Sequence, residues 1–243
     1  MKIDVYGAVF YDIYIFGEKP HESEILEMPG GSAFNIAYLL YNLGHEVNLN
    51  SFLGYDYRGD ILNKLIPFKN LDRKNEKTAI FISKNEIPIA VERKINDCEF
   101  IKLEKKSDIA IITTELSKKE LKKIEKLNYD FIFFDIGPRP YISKDIFNNA
   151  FVIGNEKECE YRNCDIVKIG IKGVEYKNKI FESNNKEAKY KIGLGDIFDG
   201  FFIHFYLKFN NIELAIKEAI KEVEKVLIIP GAYNKINSLI KKI

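Results

Sequence analysis

Short apolar runs alternate with longer segments of helical periodicity along most of this chain. The apolar runs predict strands at 3–10, 47–53, 108–113, 130–135, 150–153 and 165–169. The segments between and after them predict helices at 33–43, 57–66, 118–127, 145–149, 197–209, 212–226 and 233–242. Apolar strands separated by helices are typical of a parallel sheet with helices on both faces. The pattern therefore predicts an α/β fold built on a mostly parallel central sheet.

Two regions interrupt this alternation with short runs of β-type sequence. The runs lie at 14–16, 25–28, 78–83 and 87–93, and a later pair lies at 174–176 and 179–181. Runs joined by a tight turn are typical of hairpins rather than of strand–helix–strand units. The earlier runs therefore predict a small sheet that projects from the main one.

The predicted helix at 197–209 is apolar around almost its whole circumference, which places it at the centre of the fold. It follows directly on Gly193, Gly195 and Asp196. A helix N-terminus presents unpaired N–H groups and partial positive charge, so it binds phosphate readily, and glycines let the backbone come close. Asp196 can accept a proton from a hydroxyl nucleophile beside such a phosphate. A capped tight turn explains the same residues without any ligand.

Two further positions are candidates for binding a polar ligand. Asp12 follows the first predicted strand in apolar surroundings, and a carboxylate buried there needs a hydrogen-bond partner such as a sugar hydroxyl. An exposed loop position is equally consistent with the sequence. Gly30 and Gly31 precede a helix that carries Asn35, whose amide can bind a hydroxyl group through both of its polar atoms. A simple turn with Ser32 as N-cap is the alternative.

The overall composition narrows the class of protein. The 243 residues are 46% hydrophobic and 30% charged, with a formal net charge of +1. This balance favours neither a nucleic-acid partner nor an anionic membrane surface. No run reaches the roughly 18 apolar residues of a membrane span, and the N-terminus opens in strand-like sequence without a leader. The sequence therefore predicts a cytoplasmic protein.

Cysteines, histidines and common nucleotide motifs exclude several further classes. Cys98, Cys159 and Cys164 are predicted to be free thiols, because three cysteines cannot all pair and the 159–164 spacing is not a usual zinc spacing. The histidines are scattered, so no structural transition-metal site is expected. The Walker A pattern is absent, as is G-x-G-x-x-G after the first strand. Their absence argues against a P-loop protein and a nicotinamide-dependent oxidoreductase.

Five segments, in order along the chain, resemble signatures of the ribokinase-like family, the PfkB-type sugar and nucleoside kinases. They are Gly30-Gly31-Ser32-Ala33-Phe34-Asn35 with Phe52-Leu53-Gly54, Asp135-Ile136-Gly137-Pro138-Arg139, Asn155-Glu156-Lys157-Glu158, Lys168-Ile169-Gly170-Ile171-Lys172-Gly173 and Gly193-Leu194-Gly195-Asp196. The resemblance covers nearly the whole chain. It implies a single domain over 1–243 with a three-layer α/β/α ribokinase-like fold and a small β lid from about 13–28 and 77–101.

The resemblance also implies an activity, the ATP- and Mg²⁺-dependent phosphorylation of a hydroxyl group on a sugar or nucleoside. Asp196 would be the catalytic base, and Gly193 and Gly195 would belong to the anion hole. The remaining implied residues would hold the acceptor (Asp12, Gly30, Gly31 and Asn35), Mg²⁺ through water (Asn155 and Glu158) and the nucleotide (Lys168, Gly170, Gly173 and Asn234). An exposed edge of the lid predicts pairing across a homodimer.

The residues before Gly193 depart from the family pattern D-T-x, because Tyr190, Lys191 and Ile192 stand there. The family associates the missing acid and threonine with a monovalent cation, so their absence counts against activation by potassium. We hypothesise that Lys191 supplies the positive charge instead. Lys168 replaces a family threonine and either contacts phosphate or points to solvent. These departures leave open an alternative, a divergent member that binds a sugar or nucleoside without efficient phosphoryl transfer.

Overall fold

The structure, a computed structural model, describes residues 1–69, 71–184 and 187–241. Its strands are β1 (Lys2–Tyr6), β2 (Phe10–Phe16), β3 (Glu24–Gly30), β4 (Glu46–Asn50), β5 (Phe52–Gly54), β6 (Asp72–Lys74), β7 (Ile80–Lys84), β8 (Ile87–Glu92), β9 (Ile109–Thr113), β10 (Phe131–Asp135), β11 (Phe151–Asn155), β12 (Ile166–Lys168), β13 (Val174–Tyr176) and β14 (Lys179–Phe181). Its α-helices are α1 (Ser32–Asn42), α2 (Tyr57–Leu65), α3 (Lys118–Glu125), α4 (Glu156–Cys159), α5 (Leu194–Phe209), α6 (Ile212–Glu224) and α7 (Ala232–Ile240). None of these described helices combines the length and the apolar character of a membrane span. The predicted last residue of the C-terminal helix, Lys242, lies outside the described residues.

The main sheet has eight strands in the order β14-β13-β12-β11-β10-β9-β1-β4. Every neighbouring pair from β12 to β4 is parallel, whereas β13 and β14 are added antiparallel at one edge. The predicted mostly parallel central sheet is therefore confirmed. The later predicted hairpin extends this sheet.

Helices cover both faces of the main sheet. Successive strand residues point to opposite faces, so Val5 and Ile111 join one hydrophobic cluster while Tyr6 and Ile112 join another. The first cluster also contains apolar residues of α1, α5, α6 and α7, and the second contains those of α3. The fold therefore has the three predicted layers.

The four earlier β-type runs form a separate sheet, in the order β3-β2-β7-β8. Its strands β7 and β8 are joined at Asn85 and Glu86, whose φ angles are 47° and 65°. Left-handed conformation at both central residues suits the right-handed twist of a two-residue hairpin. The small sheet is thus confirmed, and β2 and β3 are longer than predicted. A pair of short strands, β5 and β6, forms a third sheet.

Two predicted strands are wrong in their extent, because each apolar run serves two sheets. Within the run at 3–10, strand β1 of the main sheet ends before Gly7, and Phe10 begins β2 of the small sheet. The chain turns at Gly7 against α1, where a Cβ would lie 2.3 Å from the Cβ of Ala33. The run at 47–53 is likewise divided between β4 and β5.

The helix predicted at 145–149 is wrong. The segment consists of turns, and Asp145 and Phe147 have φ angles of 63° and 51°. Residues in the left-handed region cannot continue a right-handed helix. The turns bury Ile146 and Phe147 in the second cluster, which explains the apolar spacing.

The prediction that every cysteine is a free thiol is also wrong. Cys159 at the end of α4 and Cys164 form a disulfide, whereas Cys98 is free as predicted. The two bonded cysteines flank the turn that leads from α4 to β12. Their bond closes that turn next to Gly154, where a Cβ would lie 3.0 Å from the Sγ of Cys159.

Candidate active site

Three neighbouring strands of the main sheet end in polar residues at one edge. β10 ends at Asp135, β11 at Asn155 and β12 at Lys168. Because these strands are parallel, their carboxyl ends lie together. All three residues line a cavity of about 580 Å³. That volume falls in the range of small-molecule and cofactor sites.

The cavity has a polar end and an apolar wall. The polar end is formed by Asp135, Asn155, Glu158, Lys168 and Asp196. The apolar wall is formed by Val174 of β13, Phe198 of α5, Ile220 and Val223 of α6, and Leu227. Such a cavity suits a ligand with a flat, weakly polar part at one end and charged groups at the other.

Lys168 forms a buried ion pair at the polar end. Its Nζ lies 2.7 Å from Oδ2 of Asp199 and 3.8 Å from Oδ1 of Asp135. Burial alone lowers the pKa of Lys168, but these two carboxylates outweigh it and hold the pKa above its usual range. The ammonium group therefore stays charged and does not point to solvent. It lies close to Gly195, where a Cβ would be 3.5 Å from Nζ.

Asn155 and Glu158 fix each other at the start of α4. The amide N–H of Asn155 donates to Oε2 of Glu158 at 2.8 Å, and the N–H of Glu158 donates to Oδ1 of Asn155 at 3.0 Å. This capping box holds both side chains at the cavity. Burial raises the pKa of Glu158, and the charge of Asp135 adds to the rise.

The donor atoms at this end fit a hard cation such as Mg²⁺. Asp135, Asn155 and Glu158 offer only oxygen ligands, which Mg²⁺ prefers, and it usually keeps several of its waters. The carboxylates of Asp135, Glu158, Asp196 and Asp199 outnumber the ammonium of Lys168, so a cation would relieve their repulsion. Within the described ranges, no three His, Cys, Asp or Glu side chains are grouped so as to hold a metal ion.

Helix α5 begins at Leu194, earlier than predicted, so Asp196 lies in its first turn. Gly193 caps it in the left-handed conformation, with φ of 82°, and a Cβ there would lie 2.4 Å from the Cβ of Ala232. The N–H groups of Gly193, Gly195 and Asp196 have no hydrogen-bond partner among the residues that the structure describes. These groups can bind an anion at the cavity.

Asp196 is held by a residue of the neighbouring helix. Nδ2 of Asn35, in the first turn of α1, donates to Oδ2 of Asp196 at 2.7 Å. Burial raises the pKa of Asp196, while the hydrogen bond from Asn35 lowers it. A carboxylate with these two influences can accept a proton near neutral pH.

Asp12 lies on β2 rather than in an exposed loop, and it is buried. It receives a 2.8 Å hydrogen bond from the hydroxyl of Tyr14. Burial raises the pKa of Asp12 to about 7, and the charge of Asp196 contributes. Gly30 on β3 leaves the space for its carboxylate, because a Cβ at Gly30 would lie 2.0 Å from Oδ2. Gly31, with φ of 99°, then starts α1.

The amino-acid sequence matches no protein-family model, and a search of curated proteins finds no relative. Solved structures match over nearly the whole length. Ribokinase from Thermotoga maritima superposes with a TM-score of 0.78 at 19% identity, over 98% of this chain and 99% of that one. Ribokinase from Cryptococcus neoformans, in complex with ADP, gives 0.80 at 16% identity over 100% and 99% of the two chains. A nucleoside kinase from Methanocaldococcus jannaschii gives 0.69 at 20% identity over 100% and 98%.

The chain has the ribokinase fold. Within this ribokinase fold, Gly170 and Gly173 line the same cavity as Lys168, next to the apolar wall. Asn234 lies on α7 and is not among the residues that line the cavity, and its implied role at the nucleotide stays a prediction. Where α6 packs along α5, Ile220 and Val223 of α6 face the apolar end of the cavity.

Sequence reasoning missed Glu115, a buried residue that holds two loops of the ribokinase fold together. Its carboxylate accepts hydrogen bonds from the N–H groups of Ala8 at 2.9 Å, Ser32 at 2.8 Å and Ala33 at 3.1 Å. It thereby caps α1 from the end of β9. Burial raises its pKa to about 7. These partners lie far from Glu115 in the sequence, so no local pattern could indicate the hydrogen bonds.

Two charged residues beside Gly193 were also missed. Glu86, at the tip of the β7–β8 hairpin, accepts from the N–H groups of Lys191 at 2.6 Å and Ile192 at 2.8 Å. Lys235 on α7 donates to the carbonyl of Ile192 at 3.0 Å. Lys235 could have been noticed in the sequence, because it is a charged residue on the apolar face of its helix.

Proposed function

We propose that this protein is a phosphotransferase that uses ATP and Mg²⁺ to phosphorylate a hydroxyl group on a sugar or nucleoside, with Asp196 as the base. The observation that carries the proposal is the position of Asp196. Its carboxylate shares the first turn of α5 with free N–H groups, lines the cavity and is bonded to Asn35. A proton acceptor beside an anion site is what phosphoryl transfer to a hydroxyl requires.

The cavity supports ATP as the donor. Its apolar wall, which includes Phe198 and Ile220, suits a nucleobase, and its polar end with Lys168 suits phosphates. The ribokinase of the same fold from Cryptococcus neoformans is described with ADP. Mg²⁺ held through water by Asn155 and Glu158 would neutralise phosphate charge.

The acceptor hydroxyl would lie between Asp196 and the group formed by Asp12, Gly30, Gly31 and Asn35. Asp12 and Asn35 present buried polar atoms, and Oδ1 of Asn35 has no partner among the described residues. A sugar offers several hydroxyl donors that would satisfy such atoms. The small sheet would close over the acceptor and exclude water.

In the transfer, the acceptor oxygen forms a bond to the γ-phosphorus while the bond from that phosphorus to the bridging oxygen of ADP breaks. Asp196 takes the hydroxyl proton as the bond forms. The N–H groups of Gly193 and Gly195 hold the oxygens of the transferred group, whose charge the α5 dipole favours.

The test is an ADP-release screen over sugars and nucleosides with Mg²⁺, with and without potassium. With the acceptor found there, Asp196→Asn is expected to lower kcat at least about 100-fold, because general-base catalysis contributes roughly that much. Asp145→Asn, an exposed position whose left-handed φ suits asparagine, is the control. Binding of ATP without ADP release across the panel would contradict the proposal and favour a binding protein.

We also propose that the small sheet forms a homodimer through β8. This strand is the edge of its sheet and is exposed along its length, with Ile87, Ile89 and Val91 exposed by 66%, 57% and 52%. An exposed apolar edge strand is a template for pairing with a second copy. Light scattering is expected to give twice the chain mass, and Ile89→Lys is expected to give a monomer. A monomeric mass for the unaltered chain would exclude this interface.

A further inference from the structure

Lys235 is fully buried although it carries a charge. Its neighbours on the inner face of α7 are Ala232, Ile236 and Leu239, so an apolar side chain would suit the position. A buried ammonium group is costly unless hydrogen bonds or opposite charges compensate for the lost water. The contacts of this group therefore indicate what the lysine does.

The ammonium group binds the carbonyl oxygen of Ile192, with Nζ of Lys235 donating at 3.0 Å. The N–H of Ile192, which belongs to the preceding peptide group, donates to Glu86 of the small sheet at 2.8 Å. Two charged side chains from distant elements thus fix the two consecutive peptide groups that flank the Cα of Ile192, directly before Gly193.

The fixed peptide groups lead directly into the start of α5. The first intrahelical bond runs from the N–H of Ile197 to the carbonyl of Gly193 at 3.1 Å, so the N–H groups before it have no acceptor within the helix. The carbonyl of Ile192 accepts from Lys235, and the N–H groups of Gly195 and Asp196 have no partner among the described residues. They stay available for an anion.

We infer that Lys235 is a positioning residue whose ammonium group holds the 191–193 turn open for the transferred phosphoryl group and places a fixed positive charge behind it. The inference rests on the proposed function. Lys191, for which a similar role is hypothesised, also lines the cavity, but its side chain is exposed, whereas the ammonium group of Lys235 is buried and bound to the carbonyl of Ile192. Since this cation belongs to the chain, the rate is expected not to depend on added potassium.

The surroundings of the ammonium group predict a pH dependence. Burial lowers the pKa of Lys235 to about 8, opposed by the carboxylates of Glu86 on the small sheet and Asp196 on α5. The group therefore loses its proton as pH rises through about 8. We expect kcat to fall over that range in the unaltered protein.

The variants that test this separate the charge from the hydrogen bond. Lys235→Met removes both, and Lys235→Gln keeps a donor for Ile192 without the charge. Lys241→Met, directly after α7, is the exposed control. We expect Lys235→Met to lower kcat about 100-fold with KM for ATP within about threefold. The kcat of Lys235→Gln is expected to lie between those of the unaltered chain and Lys235→Met. In both variants kcat is expected no longer to decline above pH 8. The melting temperature is expected to fall for Lys235→Met, because the carbonyl of Ile192 loses its donor, and to fall less for Lys235→Gln, which keeps one.

A second measurement does not need catalysis. Isothermal titration with inorganic phosphate is expected to give about tenfold weaker binding to Lys235→Met than to the unaltered chain and to Lys241→Met. Equal phosphate affinities, or equal kcat values with equal pH profiles, would overturn the inference. If the unaltered chain releases no ADP with any acceptor, the proposed function fails, and the phosphate titration still decides on Lys235. If Lys235→Met does not fold, Lys235→Gln takes its place in both measurements.

Discussion

The amide of Asn35 donates a 2.7 Å hydrogen bond to the carboxylate of Asp196, joining the first turns of α1 and α5. The two residues are 161 positions apart in the sequence. Asn35 is expected to bind the acceptor and Asp196 is expected to take its proton, so this hydrogen bond connects the two roles directly. The orientation and the pKa of Asp196 both depend on this bond.

Replacing Asn35 by leucine is expected to raise the pKa of Asp196, because the lost hydrogen bond stabilises the ionised form. The acid limb of the kcat profile is expected to move to higher pH. Asn42→Leu, in the last turn of the same helix, is the control. The profile is measured at saturating acceptor, and an unchanged acid limb would show that the bond does not tune Asp196.

Gly193 and Gly195 are expected to respond differently to alanine. Gly193→Ala is expected to cost about 1–3 kcal/mol of unfolding free energy, because its φ is 82° and the new Cβ would lie 2.4 Å from the Cβ of Ala232. In Gly195→Ala the new Cβ would lie 3.5 Å from Nζ of Lys168, so the unfolding free energy is expected to stay unchanged. The added methyl group narrows the cavity, so KM for ATP is expected to rise.

Urea denaturation measures the stability part of this comparison, and Gly170→Ala is the control. Gly170 has φ of 61° but no atom within 4 Å of the new Cβ, so it reports the backbone strain without the clash. Equal losses at Gly193 and Gly170 would mean that the contact with Ala232 relaxes.

The ion pair of Lys168 and Asp199 is expected to show strong non-additivity. Lys168→Met or Asp199→Leu alone is expected to cost about 3–5 kcal/mol of unfolding free energy, because each leaves a buried charge without its partner. The double variant is expected to lose less than either single variant. A double-mutant cycle in urea measures the coupling, and additive losses would contradict a mutually dependent pair.

Because of Asp12, the unfolding free energy is expected to fall as pH rises from about 4 to 7. Its pKa in the folded chain is about 7, above the ordinary 3.8, so the unfolded chain loses this proton first. Between those values the folded state binds more protons, and the unfolding free energy decreases with pH by a few kcal/mol in total. Asp12→Asn is expected to flatten this slope, measured by urea denaturation at successive pH values. The remaining slope reports groups such as Glu115.

Local patterns were sufficient for the layers of the fold. Short continuous apolar runs are typical of strands buried on both faces, and helical spacing of apolar residues is typical of covering helices, so the parallel sheet and its helices could be predicted. The run at 3–10 misled because its apolar residues are buried in two different sheets, with the change of direction at Gly7. The segment at 145–149 misled because turns also bury apolar residues.

The site could be predicted where its residues belong to a short motif, and their roles stay predictions. Glu86, Glu115 and Lys235 could not be found in this way, since each acts on a backbone group of a distant segment. Such contacts depend on how whole elements pack together. The apolar wall could not be predicted for the same reason, because the packing of β13, α5 and α6 decides which side chains form it.

The polar residues at the ends of β10, β11 and β12 have a consequence for how this chain diverged from proteins of similar shape. The backbone of a strand-end residue is fixed by the sheet, while its side chain faces the cavity rather than the core. An exchange there alters the cavity while the backbone pairing of the sheet remains, although Lys168 would have to change together with its buried partner Asp199. Core positions tolerate apolar exchanges of similar volume. Both kinds of change erase sequence similarity while the architecture persists, which accounts for a match in structure where comparison of sequences finds none.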